Sequence, residues 1–158
     1  MQRILVTVLV LAMPLAVRSQ DRGYSGHAFV NFSLNASKDS FADMLAVGGG
    51  GEGFLYRGLA VGADVAYLFP REAPGDGIGL LSANPAYHFV NRDNPGKWVP
   101  FVTGGYSLAF RLGTANLFNY GGGITYWFAS RAGLRVEVRD HRNSELSMFL
   151  IRVGISFR

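Results

Sequence analysis

Eight segments of this chain alternate large apolar residues with small or polar ones at a period of two. That alternation constrains the fold more than any other feature, because successive side chains of a β-strand point to opposite faces. The segments lie near 24–34, 46–56, 59–69, 78–89, 98–110, 117–128, 133–142 and 146–157. Each is about ten residues long or slightly more, the length a tilted strand needs to cross a bilayer. In the last, Phe149, Ile151, Val153, Ile155 and Phe157 share one face, while Leu150, Arg152, Gly154 and Ser156 share the other. The seventh sets Leu134, Val136 and Val138 against Arg135, Glu137 and Arg139. The third and sixth repeat the contrast, with Val61, Val65 and Tyr67 against Gly62 and Asp64, and Tyr120, Ile124 and Tyr126 against Gly121, Gly123 and Thr125.

Helical folds are excluded by the same reading. Beyond the first nineteen residues no apolar run approaches the ~20 residues of a membrane helix, and no long stretch follows the i, i+3, i+4 period. The opening MQRILVTVLVLAMPLAVRS has a short basic start, an apolar run from Ile4 to Val17, and small residues at Val17 and Ser19. This order is that of a secretory signal peptide. We therefore expect a signal peptide over 1–19 and one β-barrel domain over 20–158. Arg3 and Arg18 would leave with the signal, lowering the net charge from +4 to +2. With no basic cluster, nucleic acid is not an expected partner. There is no cysteine, so an exported domain of this size must be held by a core, a metal or a closed sheet.

Two architectures fit strands with one large apolar face and one small polar face. A soluble barrel of lipocalin type turns the apolar face inward. A membrane barrel turns it outward to lipid and fills the lumen with small and polar residues. Small lumenal residues suit eight strands, whose interior is only just wide enough for side chains. Aromatics also gather at segment ends. Phe54, Tyr56, Tyr87, Phe89, Trp98, Phe101, Tyr126, Trp127, Phe128 and Phe157 fall toward one rim, and Tyr67, Phe69, Phe110, Phe118 and Phe149 toward the other. Girdles at both interfaces mark outer-membrane barrels. Tight connections at Arg57-Gly58 and 129–132 alternate with longer ones at 35–43 and 70–77, although NRDNPGK (91–97) is long on the short-turn side. Pro85 lies inside the fourth segment, where a closed sheet has no edge to host it. A local bulge or a later strand start is expected there.

The stretches LSANPAYHFV (81–90), VPFVTGGYS (99–107) and NYGGGITYWFASRAGLRVEVRDHR (119–142) carry a resemblance to a known family. They resemble the small eight-stranded outer-membrane β-barrels, of which the transmembrane domain of outer-membrane protein A is the best-known type. The resemblance covers essentially the whole chain after the signal. It implies an all-β, antiparallel, up-and-down transmembrane barrel located in the cell outer membrane, with outer-membrane lipid around it. It also implies that Phe149, Ile151, Val153, Ile155 and Phe157 form the strand that the barrel assembly machinery reads, here followed by Arg158. The peptidoglycan-binding domain of larger relatives is not expected.

Charges are the most informative site candidates. In one register Glu52, Asp64, Arg135, Glu137, Arg139 and Arg152 all face the lumen. Unpaired, each would cost several kcal/mol, so a network is expected. By the resemblance, Glu52 would pair with Arg135 or Arg139 and either plug the barrel or gate a narrow pore. The same network could simply fill the core. Gly48 to Gly53 matches G-x-G-x-x-G only formally, since the next element is a strand rather than a helix. His27, His88 and His141 could be imagined as a metal set, but His27 and His88 face the lumen from the first and fourth strands, which are not neighbours, and a lone lumenal histidine is expected as a hydrogen-bonding filler. No cofactor, metal or catalytic residue is expected. The sequence therefore favours a structural barrel, or one that binds or adheres to an extracellular ligand through loops 35–43, 70–77, 111–116 and 140–146. A gated pore and a lipid-modifying enzyme are the alternatives.

Overall fold

The computed structural model describes residues 27–35, 44–90, 96–111 and 113–158, the first of these by its backbone pairing. The signal peptide expected over 1–19 lies outside them. Eight strands form: β1 (His27–Asn35), β2 (Met44–Tyr56), β3 (Leu59–Pro70), β4 (Ile78–His88), β5 (Trp98–Phe110), β6 (Ala115–Trp127), β7 (Ala132–Arg142) and β8 (Ser147–Phe157). Each pairs antiparallel with the next, and β1 pairs with β8, so the sheet closes into a barrel. The expected all-β, up-and-down, eight-stranded fold is what forms.

Closure turns the period-two pattern into an inside and an outside. Val61, Val65, Leu81, Val102, Leu134, Val136, Val138, Ile151, Val153 and Ile155 are exposed on the outer surface. The residues between them are buried in the lumen. A soluble barrel would show the reverse, since exposing such a belt to water forfeits its burial free energy. Exposed aromatics gather at both ends of the belt. Tyr56, Tyr87, Phe89, Trp98, Phe128 and Phe157 stand at the rim that carries the strand ends Tyr56 and Phe157, and Tyr106, Phe110, Phe118, Tyr120 and Phe149 stand toward the other. Three aromatics expected in these girdles point inward instead. Phe101 and Trp127 are buried, and Phe54 packs on His88 with ring centroids 4.9 Å apart.

The connections differ between the rims. Arg57 and Gly58 (φ 44° and 86°) form a two-residue turn, and Ala129 N–H donates to the Ala132 carbonyl at 3.1 Å. The opposite rim carries 71–77, 111–114 and 143–146, with a short 3-10 turn at Pro74–Asp76. Strands continue through Pro70, Ala115 and Arg142, so these loops are shorter than the sequence suggested. At the last of them, the Asn143 Oδ1 accepts from the N–H of Glu145 (2.9 Å) and Leu146 (2.7 Å), which closes the turn.

Pro85 produces no bulge. The β4–β5 register is the same on both sides of it, running Ala83↔Tyr106 and then Ala86↔Thr103. Pro85 removes one donor from the ladder, and the rungs opposite Gly104 and Gly105 open without a slip. The Thr103 hydroxyl donates to the Pro85 carbonyl at 3.1 Å across the gap. A register shift occurs elsewhere, between Phe54 and Tyr56 of β2.

Candidate functional site in the barrel lumen

The lumen is built in floors. Nearest the loop rim, Met44, Ala46, Ala66, Leu68, Ile78, Leu80, Ala109, Leu117, Met148 and Leu150 form one apolar cluster. Below it lies a neutral polar floor. Ser107 Oγ donates to Ser82 Oγ at 2.9 Å, accepts from Asn119 Nδ2 at 2.8 Å, and stands 3.1 Å from His141 Nδ1. Below that are the charges.

The structure brings all six charged candidates together. Arg135 reaches Glu52 at 2.9 Å and Glu137 at 3.3 Å. Arg139 lies 2.5 Å from Glu137 and 2.7 Å from Asp64. Arg152 reaches Asp64 at 3.1 Å. Of the two partners expected for Glu52, Arg135 meets it, whereas Arg139 turns to Glu137 and Asp64. Three carboxylates face three guanidinium groups, so the fixed charges balance.

The strands explain this geometry. Arg135, Glu137 and Arg139 alternate along β7, so all three enter the lumen as one row. β7 and β3 are four strands apart in a ring of eight, hence on opposite walls. The Arg139–Asp64 pair therefore spans the barrel. Glycines leave room for the long side chains. Gly123 pairs with Glu137 and Gly121 with Arg139 across β6–β7. A Cβ on Gly62 would stand 2.6 Å from Glu52 Cγ, closer than such atoms can approach.

Several partners had escaped the sequence reading. Asn84 donates to Asp64 at 3.2 Å. The Arg135 guanidinium lies 3.9 Å over the Phe101 ring. His88, expected as an isolated filler, stands 2.7 Å from Glu52 and stacks on Phe101. The His27 side chain lies outside the described residues. Period two extended to Ser107 and His141 would have found the polar floor. Among the described residues, no group of three His, Cys, Asp or Glu could hold a metal.

Chemically the site can lock, and it can exchange ion-pair partners. Arg135, Glu137, Arg139 and Arg152 are all nearly inaccessible. The space lined by Glu52, Gly62, Asp64, Asn84 and Arg139 holds about one water. Ser107 and His141, the one Ser–His contact of hydrogen-bond length among the described residues, are fully enclosed.

No family model matches the chain, and no curated protein does. Solved structures do. The N-terminal β-barrel domain of Pseudomonas aeruginosa OprF superposes with a TM-score of 0.65 at 15% identity, covering 86% of this chain and 98% of that one. Neisserial surface protein A gives 0.64 at 11% identity, covering 84% and 96%. The Yersinia pestis attachment invasion locus protein Ail gives 0.59 at 8% identity, covering 87% and 99%. At these identities the likeness concerns the fold, which is that of small outer-membrane β-barrels.

Proposed function

We propose that this chain, an outer-membrane β-barrel by fold, is a sealed and non-catalytic scaffold that binds extracellular partners through its loop rim. The filled lumen is the observation that carries this reading. An apolar floor and an ionic floor lie in series, so a conducting path would have to open both. Ion-pair exchange in the charged floor alone would leave the apolar floor closed. Catalysis finds little support, because the Ser107–His141 pair is enclosed and the charged groups are committed to one another.

Two experiments address the parts of this reading. After detergent extraction, the native barrel should migrate faster on an unheated gel than after boiling. A protein that stays in solution without detergent and shows no such shift would count against a membrane barrel. For binding, replacing 71–77 by a Gly/Ser turn should lower adherence of displaying cells to host surfaces without lowering barrel yield. Unchanged adherence for this and for replacements at 111–114 and 143–146 would remove the loop role.

The outward row Phe149, Ile151, Val153, Ile155 and Phe157 on β8 is the segment we assign to recognition by the barrel assembly machinery. Phe157 is half exposed at the rim, where an assembly factor can meet it. Phe157→Ala should lower the amount of inserted barrel in cells more than it lowers refolding yield in detergent. An equal loss in both would indicate a packing role only.

A further inference from the structure

The two rims of the barrel differ in charge, and the difference points to a lipid. At the rim of tight turns, Arg57 lies in the β2–β3 turn, Lys97 precedes β5, and Arg131 lies in the β6–β7 turn. Among the described residues of these connections, Arg57, Lys97 and Arg131 are exposed cations. None of the described residues at 54–61, 86–90, 96–102, 125–134 and 154–158 is acidic, and the sequence of the β4–β5 connection adds one base and one acid, Arg92 and Asp93, whose charges offset. Arg57, Lys97 and Arg131 make no ion pair among the described residues.

The loop rim is different. Arg71, Arg111 and Arg142 are accompanied there by Glu72, Asp76, Asp140 and Glu145. Arg142 is paired with Asp140, its Nε donating at 2.9 Å. Arg111 donates to the carbonyls of Gly75 (2.7 Å) and Gly77 (3.0 Å). At the loop rim Arg111 and Arg142 are engaged by the protein and Arg71 adjoins Glu72, whereas at the turn rim Arg158 donates to the Ser130 carbonyl at 2.9 Å but Arg57, Lys97 and Arg131 are exposed with no acidic neighbour among the described residues.

Placement strengthens the contrast. Arg57 adopts φ 44°, a left-handed conformation that an arginine occupies at a cost and that Asn, Asp or Gly occupies more easily in this kind of turn. Its guanidinium lies 4.9 Å over the exposed Tyr56 ring. On the same rim, Trp98 and Tyr126 pack with centroids 4.4 Å apart. Cations interleaved with exposed aromatics at one height sit where a bilayer changes from acyl chain to headgroup. Unbalanced basic residues at that level attract anionic lipid.

We propose that the turn rim is a collar for anionic phospholipid, its phosphates held by Arg57, Lys97 and Arg131. This rests on the membrane reading above and adds a lipid preference to it. The chain has two tryptophans. Trp127 is buried, while Trp98 is exposed at the rim and can report the lipid beside it. The test uses the full chain with Trp127→Phe in vesicles of equimolar phosphatidylcholine and phosphatidylglycerol, with one lipid brominated at a time. Brominated phosphatidylglycerol should quench Trp98 more than brominated phosphatidylcholine, corresponding to about a two- to fivefold local enrichment. The preference should vanish in Arg57→Gln/Lys97→Gln/Arg131→Gln and shrink at about 1 M salt, where the screening length falls to about 3 Å. Equal quenching by both lipids overturns the collar while leaving the membrane barrel intact. No quenching by either overturns the membrane placement, and the collar with it.

Discussion

The upper and lower floors of the lumen close the same barrel by different physics. The apolar floor around Leu68, Leu80, Leu117, Met148 and Leu150 works by shape and exclusion of water, which is non-directional. The ionic floor works by geometry, because a buried charge is tolerated only while its partners stay in place. An apolar floor should therefore degrade gradually on substitution, whereas the ionic floor should fail abruptly when one member is removed. The lesson extends to redundancy, since neither floor needs the other in order to block a path.

The largest effect expected is at Glu137, which lies between Arg135 and Arg139. Glu137→Ala takes from the buried Arg135 and Arg139 the carboxylate they share, leaving them Glu52 and Asp64 alone, and should destabilise the barrel by about 3–5 kcal/mol. Reversible urea unfolding in lipid vesicles reads this value, and a cost below about 1 kcal/mol would mean the network is wetter than its burial indicates. Leu80→Ala, in the fully buried apolar floor, should cost roughly 2–5 kcal/mol through transfer and cavity terms. Its cost should fall when a small apolar molecule fills the space, an effect that Glu137→Ala should not show.

Val136→Arg tests the outer wall beside the same ionic row. If that face meets the bilayer midplane, the change should cost roughly 2–4 kcal/mol. A tolerance equal to that of a loop position such as Ser144→Arg would contradict the outward assignment. The smallest effect belongs to Leu150→Met, a volume-conserving change that should cost under about 1.5 kcal/mol. By contrast, Arg139→Lys conserves charge but loses the fork that reaches both Glu137 and Asp64, so it should cost more than Leu150→Met. Reversal of that order would erase the distinction between the two floors.

Much of this architecture was legible in the chain. In β7, and in β3 and β8 on the turn-rim side of the apolar floor, one parity is large and apolar and the other small or charged, so the sequence decides the faces there, whereas Leu68, Met148 and Leu150 make both parities apolar nearer the loop rim. GLRVEVRDH in β7 is the clearest case, since Arg135, Glu137 and Arg139 could only enter the lumen together if the valines faced out. β5 was harder. At its turn-rim end Trp98, Val99, Pro100, Phe101 and Val102 are apolar on both parities. Nothing local shows that Val99 and Phe101 are the inward pair, and Phe101 was accordingly expected in the girdle. Phe54 was misplaced beside a register shift, where parity stops being informative. Pro85 was expected to bulge because its missing donor was weighed without the two glycines opposite. The Asn84, His88 and Phe101 contacts with the network depend on which strands face each other across the lumen, which a linear pattern does not encode.

Single-channel recording in planar bilayers tests the central claim most directly. Protein already shown to be inserted and heat-modifiable should give no resolved current steps above the bare-bilayer baseline, with or without Glu137→Ala, because the apolar floor remains closed. Steady, resolvable channels from the wild-type chain would contradict a lumen sealed by two floors.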